Sequence, residues 1–234
     1  MNFDNQCVII TGASGNLGAA VARAFVEHGA NVVLVDRSRE HLEHAGFTDD
    51  ARHLISVTDL LDQTQVNAMV QAAVAKFGGI QVLCNIAGGF RMGEAVHETS
   101  DTNWNFLFDI NARTLLHALR AVVPQMLAQK SGKIINVGAF GAQKGSAQMG
   151  AYVASKASVM RLTESMAAEL RELGINVNAV LPTIIDTPQN RRDMPDADPA
   201  KWVAPEALAD VVMFLASDAA RAVHGALVPV TGLS

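Results

Sequence analysis

Short runs of β-branched and aliphatic residues alternate along the chain with segments whose apolar residues recur at helical spacing. The strand-like runs are apolar on both faces, which is typical of parallel strands covered by helices on each side. This alternation predicts a single α/β domain with a doubly wound, mostly parallel sheet and helices on both faces. Seven strands are predicted, at Cys7–Thr11, Asn31–Asp36, His53–Val57, Ile80–Asn85, Lys133–Gly138, Ile175–Leu181 and Ala226–Val230.

Helical segments fill the spaces between these strands. The stretch Asp101–Gln129 is predicted as one long helix with a kink or break at Pro124, because proline lacks the backbone donor of the helix ladder. Gly174 is expected to end a second long helix as its C-cap. The remaining helices are predicted at Asn16–His28, Gln63–Phe77 and Pro205–Ser217, and the one that Gly174 ends is Met149–Leu173.

One segment interrupts the alternation. Between Asp186 and Lys201 the chain carries three prolines and charges of alternating sign. This segment follows the carboxyl end of a predicted strand, where open α/β sheets bind their ligands. We predict that residues 186–202 form a loop that acts as a lid over a substrate.

Composition narrows the function classes. The chain has 234 residues, of which half are hydrophobic, and a formal net charge of -5. This acidic balance argues against a nucleic-acid binder, because phosphate-backbone affinity needs clustered Lys and Arg. The start of the chain lacks the pattern of a secretory signal, and no apolar stretch approaches the roughly 20 residues that span a bilayer. We therefore expect a cytoplasmic protein that does not enter a membrane.

The metal-binding residue types form no recognisable site in the sequence. The two cysteines, Cys7 and Cys84, lie in apolar runs and are predicted to be buried thiols. His41 and His44 are spaced to share one face of a helix, but no third ligand can be identified. We therefore predict neither a metal site nor a disulfide framework.

A glycine-rich turn joins the first predicted strand to the first helix, over residues 11–18. Glycine permits a tight turn there and lets the backbone approach a pyrophosphate, while the helix N-terminus supplies amide donors. The position of this turn within a strand–helix–strand unit predicts a dinucleotide site. The residues expected to contact the cofactor in the turn are Gly12, Ser14, Asn16, Leu17 and Gly18.

Asp36 ends the second predicted strand, 18 residues after Gly18. A carboxylate at this place accepts hydrogen bonds from an adenosine ribose and repels a 2′-phosphate, which favours NAD(H). Arg37 leaves NADP(H) open, since its guanidinium is able to meet a 2′-phosphate or to lie over the adenine.

Tyr152 and Lys156 are four residues apart in a predicted helix, so their side chains share one face. A neighbouring ammonium stabilises a phenolate, and we expect it to lower the pKa of Tyr152 from about 10. A tyrosine tuned in this way exchanges protons near neutral pH. Tyr152 is also the only tyrosine in the chain.

Taken together, these motifs resemble the short-chain dehydrogenase/reductase superfamily over essentially the whole chain. The matching pieces occur in the family's order and spacing. They are the Thr11–Gly18 turn, Asp36, Asn85-Ile86-Ala87-Gly88, Asn111, Tyr152 with Lys156, and Pro182 with Thr187. The resemblance implies a Rossmann fold, an NAD(P)-dependent oxidoreductase with a small-molecule substrate, and a homotetramer, with a dimer as second choice.

The resemblance also implies roles for individual residues. Tyr152 would be the proton donor or acceptor, and Lys156 would tune it and bind the nicotinamide ribose. Asn111 would hold a water that links Lys156 to solvent; the alternative is a helix-interior asparagine bound to a backbone carbonyl. Further cofactor contacts are expected at Val57, Asn85, Ala87, Gly88, Pro182, Ile185 and Thr187.

One departure from the family pattern concerns the chemistry. The family's catalytic serine lies 13 residues before the tyrosine, and here that position is Ala139, which has no hydrogen-bond donor. Ser146 is the nearest hydroxyl in the following loop and a possible surrogate. Ala139 and Met194 are expected on the substrate side of the site, together with Tyr152.

Alanine at this position resembles the quinonoid dihydropteridine reductase branch of the superfamily, which also keeps Tyr-x-x-x-Lys. Three stretches add to this partial resemblance, at residues 83–90, at residues 186–191, and at residues 194–198 with Trp202 beyond them. Two substrate classes therefore stay open: a carbonyl/alcohol pair, and a conjugated ring such as a quinonoid dihydropterin. Loss of the serine also leaves open a nucleotide-binding redox sensor without catalytic activity.

Overall fold

Seven parallel strands form the central sheet of the computed structural model, which describes residues 1–234. The strand order is β3-β2-β1-β4-β5-β6-β7, and every neighbouring pair is parallel, so the predicted mostly parallel sheet is fully parallel. The strands are β1 (Cys7–Thr11), β2 (Asn31–Asp36), β3 (His53–Val57), β4 (Val82–Asn85), β5 (Gly132–Val137), β6 (Ile175–Pro182) and β7 (Leu227–Val230).

Helices cover both faces of this sheet. They are α1 (Asn16–Glu27), α2 (Arg39–His44), α3 (Gln63–Phe77), α4 (Asp101–Phe108), α5 (Thr114–Gln129), α6 (Gly150–Leu170), α7 (Pro188–Asp193) and α8 (Pro205–Ala216). Successive residues of β1 serve opposite faces, as strand geometry requires. Val8 and Ile10 join the core formed with α1 and α8, whereas Cys7 and Ile9 join the core formed with α3, α5 and α6. The doubly wound Rossmann architecture is therefore confirmed.

The order of the strands reverses beside β1, and this reversal places the site. β1 pairs with β2 on one side and with β4 on the other, with Thr11 opposite Asn85 at the carboxyl end. The connections that follow these two strands leave in opposite directions, which opens a crevice between them. The glycine-rich turn and the residues after Asn85 both border this crevice.

The predicted long helix over residues 101–129 is interrupted, and the interruption is not at Pro124. Pro124 lies inside α5, which continues without a break to Gln129. The irregularity is instead a π-helical turn at Asp109–Arg113, which separates α4 from α5. A π turn accommodates one additional residue and re-aims a side chain. Here it carries Asn111, which is 2% exposed, into the interior.

Part of the predicted lid is helical, so its assignment as a loop was wrong. Thr187 accepts a hydrogen bond from the backbone N–H of Asn190 at 3.1 Å and caps α7, which begins at Pro188. A threonine followed by proline is a helix-start signal that the sequence already contained. A bridge between Ile185 and Val203, together with buried Trp202, fixes both ends of the segment on the body of the protein.

Gly174 ends the helical region after α6 in the left-handed conformation, with φ of 80°, as predicted. No helix of the structure combines the length and apolarity that crossing a membrane requires. The structure also brings together no group of three or more His, Cys, Asp and Glu side chains able to hold a metal ion. Cys7 and Cys84 are both buried free thiols, as predicted.

Candidate active site

The glycine-rich turn after β1 is packed too tightly for side chains at two positions. A Cβ on Gly12, whose φ is +66°, would lie 2.9 Å from Cα of Ala87. A Cβ on Gly18 would collide with the backbone oxygen of Gly12. The turn therefore needs glycine at both ends so that β1, α1 and the segment after β4 approach one another closely.

The start of α1 leaves hydrogen-bond donors free. Gly15 is the N-cap and supplies no side chain to the first turn of the helix. The backbone N–H groups of Asn16, Leu17 and Gly18 consequently have no acceptor within the protein. Free amides at the positive end of a helix dipole form a binding place for a phosphate group.

These donors open onto a cavity of about 380 Å³ at the carboxyl end of the sheet. Ten residues predicted from the sequence line this cavity: Gly12, Ser14, Asn16, Leu17, Gly18, Asp36, Arg37, Ala87, Gly88 and Thr187. Sequence reasoning missed Gly15, Thr58, Asp59, Leu60, Leu61, Ile86, Ile110 and Thr114. Thr58 and Asp59 directly follow β3. Polar residues at the carboxyl end of a parallel strand indicate a ligand site, and this signal could have identified the pair from the sequence.

Asp36 is held at one end of the cavity by the glycine-rich turn. Its Oδ2 accepts hydrogen bonds from the Ser14 hydroxyl at 2.7 Å and from the Ser14 backbone N–H at 3.3 Å. Oδ1 accepts the backbone N–H of Arg37 at 2.7 Å. The carboxylate therefore has a fixed orientation, while the exposed side chain of Arg37 forms no ion pair.

Six other residues expected at the cofactor lie outside the lining of this cavity: Val57, Asn85, Tyr152, Lys156, Pro182 and Ile185. The Asn85 side chain donates to Asn136 Oδ1 at 2.9 Å and ties β4 to β5 within the core. The backbone oxygen of Ile185 accepts the Asn190 side chain at 2.8 Å. The Asn85 side chain and the Ile185 backbone oxygen are therefore engaged within the protein, where they hold the elements around the site in place.

Tyr152 and Lys156 lie one turn apart on α6; the lysine is buried, whereas the tyrosine is partly buried. The Lys156 ammonium donates to the backbone oxygen of Val137 at 2.9 Å, and burial lowers the pKa of Lys156 to about 8. Burial also raises the pKa of Tyr152 to about 12. The expected lowering of the Tyr152 pKa is therefore not found: desolvation of the phenolate outweighs the neighbouring charge, so Tyr152 carries its proton at neutral pH.

Lys156 borders the nucleotide cavity through Gly88. A Cβ on Gly88 would lie 3.1 Å from the Lys156 Nζ and 3.0 Å from the Asn111 Oδ1. A Cβ at this position would press on both side chains, so glycine lets the backbone after β4 pass close to them. The cavity and the tyrosine–lysine pair therefore form parts of one site.

The side chain of Asn111 is fully engaged with its surroundings. Its Oδ1 accepts the Gly89 N–H at 2.9 Å, and its Nδ2 donates to the Gly89 oxygen and to the Ser155 hydroxyl, both at 3.0 Å. Ser155 in turn donates to the backbone oxygen of Tyr152 at 2.8 Å. Because both amide protons are in use, Nδ2 has none left to donate to a water, and a water beside this side chain would have to donate to Oδ1.

The surroundings of Tyr152 contain no replacement for the missing serine hydroxyl. Ala139 is 5% exposed and belongs to an apolar cluster against which Tyr152 packs. Ser146 is exposed, and its hydroxyl makes no hydrogen bond. Met194 is half-buried at the end of α7 and does not line the cavity. The structure adds Phe90, whose ring meets that of Tyr152 edge-on at 4.8 Å between centroids.

This arrangement is able to hold a dinucleotide. Free helix amides suit a pyrophosphate, the fixed Asp36 carboxylate suits a ribose diol, and the backbone after β4 is open enough for close approach. A partly buried tyrosine with a lysine beside it suits proton transfer to a substrate oxygen or nitrogen.

Comparisons with known proteins agree with this geometry. The sequence profile of the family described as short chain dehydrogenase matches residues 6–198. The 2-(R)-hydroxypropyl-CoM dehydrogenase of Xanthobacter autotrophicus is 35% identical, over 97% of this chain and 98% of that protein. The cis-4-hydroxycyclohexanecarboxylate dehydrogenase of Sinomonas cyclohexanicum is also 35% identical, over 98% of this chain and 96% of that protein.

A solved structure gives the same result for the fold. The structure of NAD⁺-bound xylitol dehydrogenase superposes with a TM-score of 0.90 at 28% identity, covering 99% of this chain and all of that one. These similarities support oxidoreduction of alcohol and carbonyl substrates, and they give no support to the narrower pteridine reductase resemblance. The chain belongs to the short-chain dehydrogenase/reductase family of NAD(P)-dependent oxidoreductases.

Proposed function

We propose that this protein is an NAD(H)-dependent oxidoreductase that interconverts a small carbonyl compound and its alcohol. The observation that carries the proposal is the Tyr152–Lys156 pair, whose lysine ammonium borders the cavity through Gly88. Family relatives with the same overall fold act on alcohols according to their names, including a hydroxypropyl and a hydroxycyclohexane compound.

The preference for NAD(H) over NADP(H) rests on Asp36. Its carboxylate is fixed by Ser14 and faces the cavity, where it accepts the hydroxyls of a ribose and repels a phosphate on the same sugar. Arg37 is the only basic residue that lines the cavity, and nothing in its own contacts directs it inward. A related structure contains NAD⁺, which agrees with this preference.

The chain's own residues account for binding and for proton transfer. The amides of Asn16, Leu17 and Gly18 bind the pyrophosphate, and Thr187 orients the nicotinamide carboxamide. When bound, NADH supplies the hydride for reduction. Tyr152 donates its phenolic proton to the substrate oxygen, and the Lys156 ammonium stabilises the phenolate that remains. Asn111 holds the segment after β4 in place through Gly89.

A second candidate substrate is a conjugated ring such as a quinonoid dihydropterin. Ala139 favours it, because no side chain donates a hydrogen bond to an oxyanion at that position. A substrate whose charge spreads over a ring needs less local stabilisation than a simple ketone. Tyr152 would then deliver its proton to a ring nitrogen.

The central test is Tyr152→Phe. Loss of the proton donor is expected to lower turnover about a thousandfold, in line with the contribution of general acid catalysis. NADH binding, followed by fluorescence titration, is expected to stay within twofold of the wild type. Substrates should include quinonoid dihydrobiopterin, ketones, quinones and imines. Wild-type rates in the variant would contradict the role of Tyr152. If the wild-type protein itself binds NADH tightly but turns over none of these substrates, the redox sensor would be favoured.

We also propose that the protein is a cytoplasmic homotetramer, with a dimer as second choice. Trp104 on α4 and Leu127 on α5 are large apolar side chains that remain 45% and 38% exposed in the single chain. A second copy packed on these helices would remove them from water. Light scattering that finds a monomer at micromolar concentration would contradict this assembly.

A further inference from the structure

Phe90 is an apolar side chain left in solvent beside the catalytic tyrosine. It is 55% exposed, although the segment it belongs to lies directly after the core strand β4. Its ring meets the ring of Tyr152 at an interplanar angle of 84° and a centroid distance of 4.8 Å. One side of the Phe90 ring is therefore in contact with Tyr152, and much of the remainder is open to contact with a ligand.

The backbone on both sides of Phe90 is held firmly. Gly89 exchanges two hydrogen bonds with the Asn111 side chain, at 2.9 and 3.0 Å. Arg91 places its guanidinium 3.6 Å from the centre of the Phe106 ring. Further along, the Gly93 N–H donates to the Gln148 oxygen at 2.9 Å, which joins this segment to the start of α6. Phe90 is thus presented in a defined position rather than on a free loop.

Other apolar residues also pack against Tyr152. Ala139 and Val153 are buried in the cluster against which Tyr152 packs. Phe140, which follows Ala139, is 39% exposed. The recorded neighbours of the Tyr152 ring are therefore apolar, and a substrate whose oxygen reaches the tyrosine hydroxyl would lie beside them.

We infer that Phe90 is a specificity-determining residue that contacts the substrate and selects carbonyl compounds whose reacting carbon lies in an apolar ring or next to one. The inference rests on the proposed function, since it assigns a substrate class to the same site. An aromatic side chain stacks on, or meets edge-on, a flat or alicyclic ring and covers more of it than of a flexible chain, which also loses rotational freedom on binding.

The test compares two ketones of equal carbon number, cyclohexanone and 2-hexanone, in NADH-dependent reduction. Phe90→Ala is expected to lower kcat/KM for cyclohexanone about tenfold, mainly through KM, which corresponds to the loss of one aromatic contact. For 2-hexanone the decrease is expected to stay below about threefold. Phe90→Tyr keeps the ring and is expected to restore the preference. Phe214→Ala is the matched control, because Phe214 is 42% exposed on α8 and belongs to another part of the molecule.

A second measurement separates substrate contact from support of the tyrosine. If Phe90 acts on the substrate, the pH profile of kcat in Phe90→Ala keeps the midpoint of the wild type. An equal loss for both ketones, or a displaced pH profile, would show that Phe90 only positions Tyr152 and would overturn the inference while leaving the proposed function intact. Failure of the wild type to reduce any carbonyl compound of the panel, or full activity of Tyr152→Phe, would overturn both.

Discussion

The nucleotide half and the substrate half of the site lie at the same edge of the sheet, but different chemical groups form them. The nucleotide half consists mainly of backbone: Gly12 and Gly18 leave room, and the first amides of α1 supply the donors. The substrate half consists of side chains, with Tyr152 facing Phe90 and Ala139. Where the backbone binds the cofactor, a few glycines cannot be replaced without loss of binding. Where side chains contact the substrate, a substitution changes which substrate is accepted. The cofactor-binding features typical of the family therefore lie in the first half, whereas the second half holds the proton-transfer pair and the side chains that distinguish this protein.

Gly18→Ala is the substitution that we expect to weaken cofactor binding by the nucleotide half most. The new Cβ collides with the backbone oxygen of Gly12, so the turn and α1 must separate. We expect NADH affinity to fall about a hundredfold, together with a lower melting temperature, from the cost of overpacking. Gly145→Ala is the control, because a Cβ there meets nothing within 4 Å. Unchanged NADH affinity in the Gly18 variant would contradict the assigned cofactor site.

Asp36→Ala tests which dinucleotide the nucleotide half prefers. The substitution removes two charged hydrogen bonds to the ribose and the repulsion of a 2′-phosphate. We expect the Kd for NADH to rise roughly tenfold and the Kd for NADPH to fall, which isothermal titration of both cofactors measures. Arg37→Ala is the partner experiment and should weaken NADPH binding only. An Asp36 variant that keeps its preference for NADH would assign the discrimination to other residues.

Ala139→Ser probes the substrate half. The position is buried against Tyr152, and a serine hydroxyl there supplies the donor that the family normally uses. If simple ketones are the substrates, their turnover should rise about tenfold, which is less than a complete oxyanion site contributes. Initial rates with cyclohexanone and 2-hexanone measure the gain. The absence of a gain with any ketone would favour the conjugated ring substrate.

Lys156→Met tests whether the buried ammonium of the substrate half lowers the free energy of unfolding of the protein. Burial disfavours the ammonium, which holds the pKa of Lys156 near 8. We expect the variant to lose activity yet to gain about 1–2 kcal/mol in the free energy of unfolding at pH 7, after the lost hydrogen bond to Val137 is counted. Urea denaturation measures this gain.

The pH dependence of that gain has a definite sign. Between pH 8 and the ordinary lysine value near 10.5, the unfolded wild type binds more protons than the folded protein, so wild-type stability rises with pH. The advantage of Lys156→Met should therefore shrink from pH 7 to pH 10. A constant difference between the two proteins would contradict the lowered pKa.

The nucleotide half was largely predictable because its signals are local. The turn at residues 11–18 and the carboxylate at Asp36 lie within one strand–helix–strand unit, and the structure places them around one cavity. The substrate half resisted prediction because its parts come from distant segments. Phe90 and Tyr152 are adjacent only after β4 and α6 pack, so no spacing in the sequence reports their contact.

Two local expectations failed for physical reasons. The π turn at Asp109–Arg113 alters the apolar period of a long helix by a single residue, which is too small a change to recognise beside the stronger proline signal at Pro124. The pKa of Tyr152 was expected to fall because Lys156 is near, but its direction depends on how completely both groups are buried.

By itself the sequence determined the order of strands and helices, the glycines of the cofactor turn and the chemistry available at Tyr152 and Lys156. These depend on periodicity, backbone freedom and spacing within one element, which neighbouring residues settle. The tertiary structure alone decided the all-parallel order of the sheet, the hydrogen bonds of Asn111 with Gly89 and Ser155, and the contact between the rings of Phe90 and Tyr152. These depend on burial and on contacts between residues far apart in the chain, which arise only when the helices pack on the sheet.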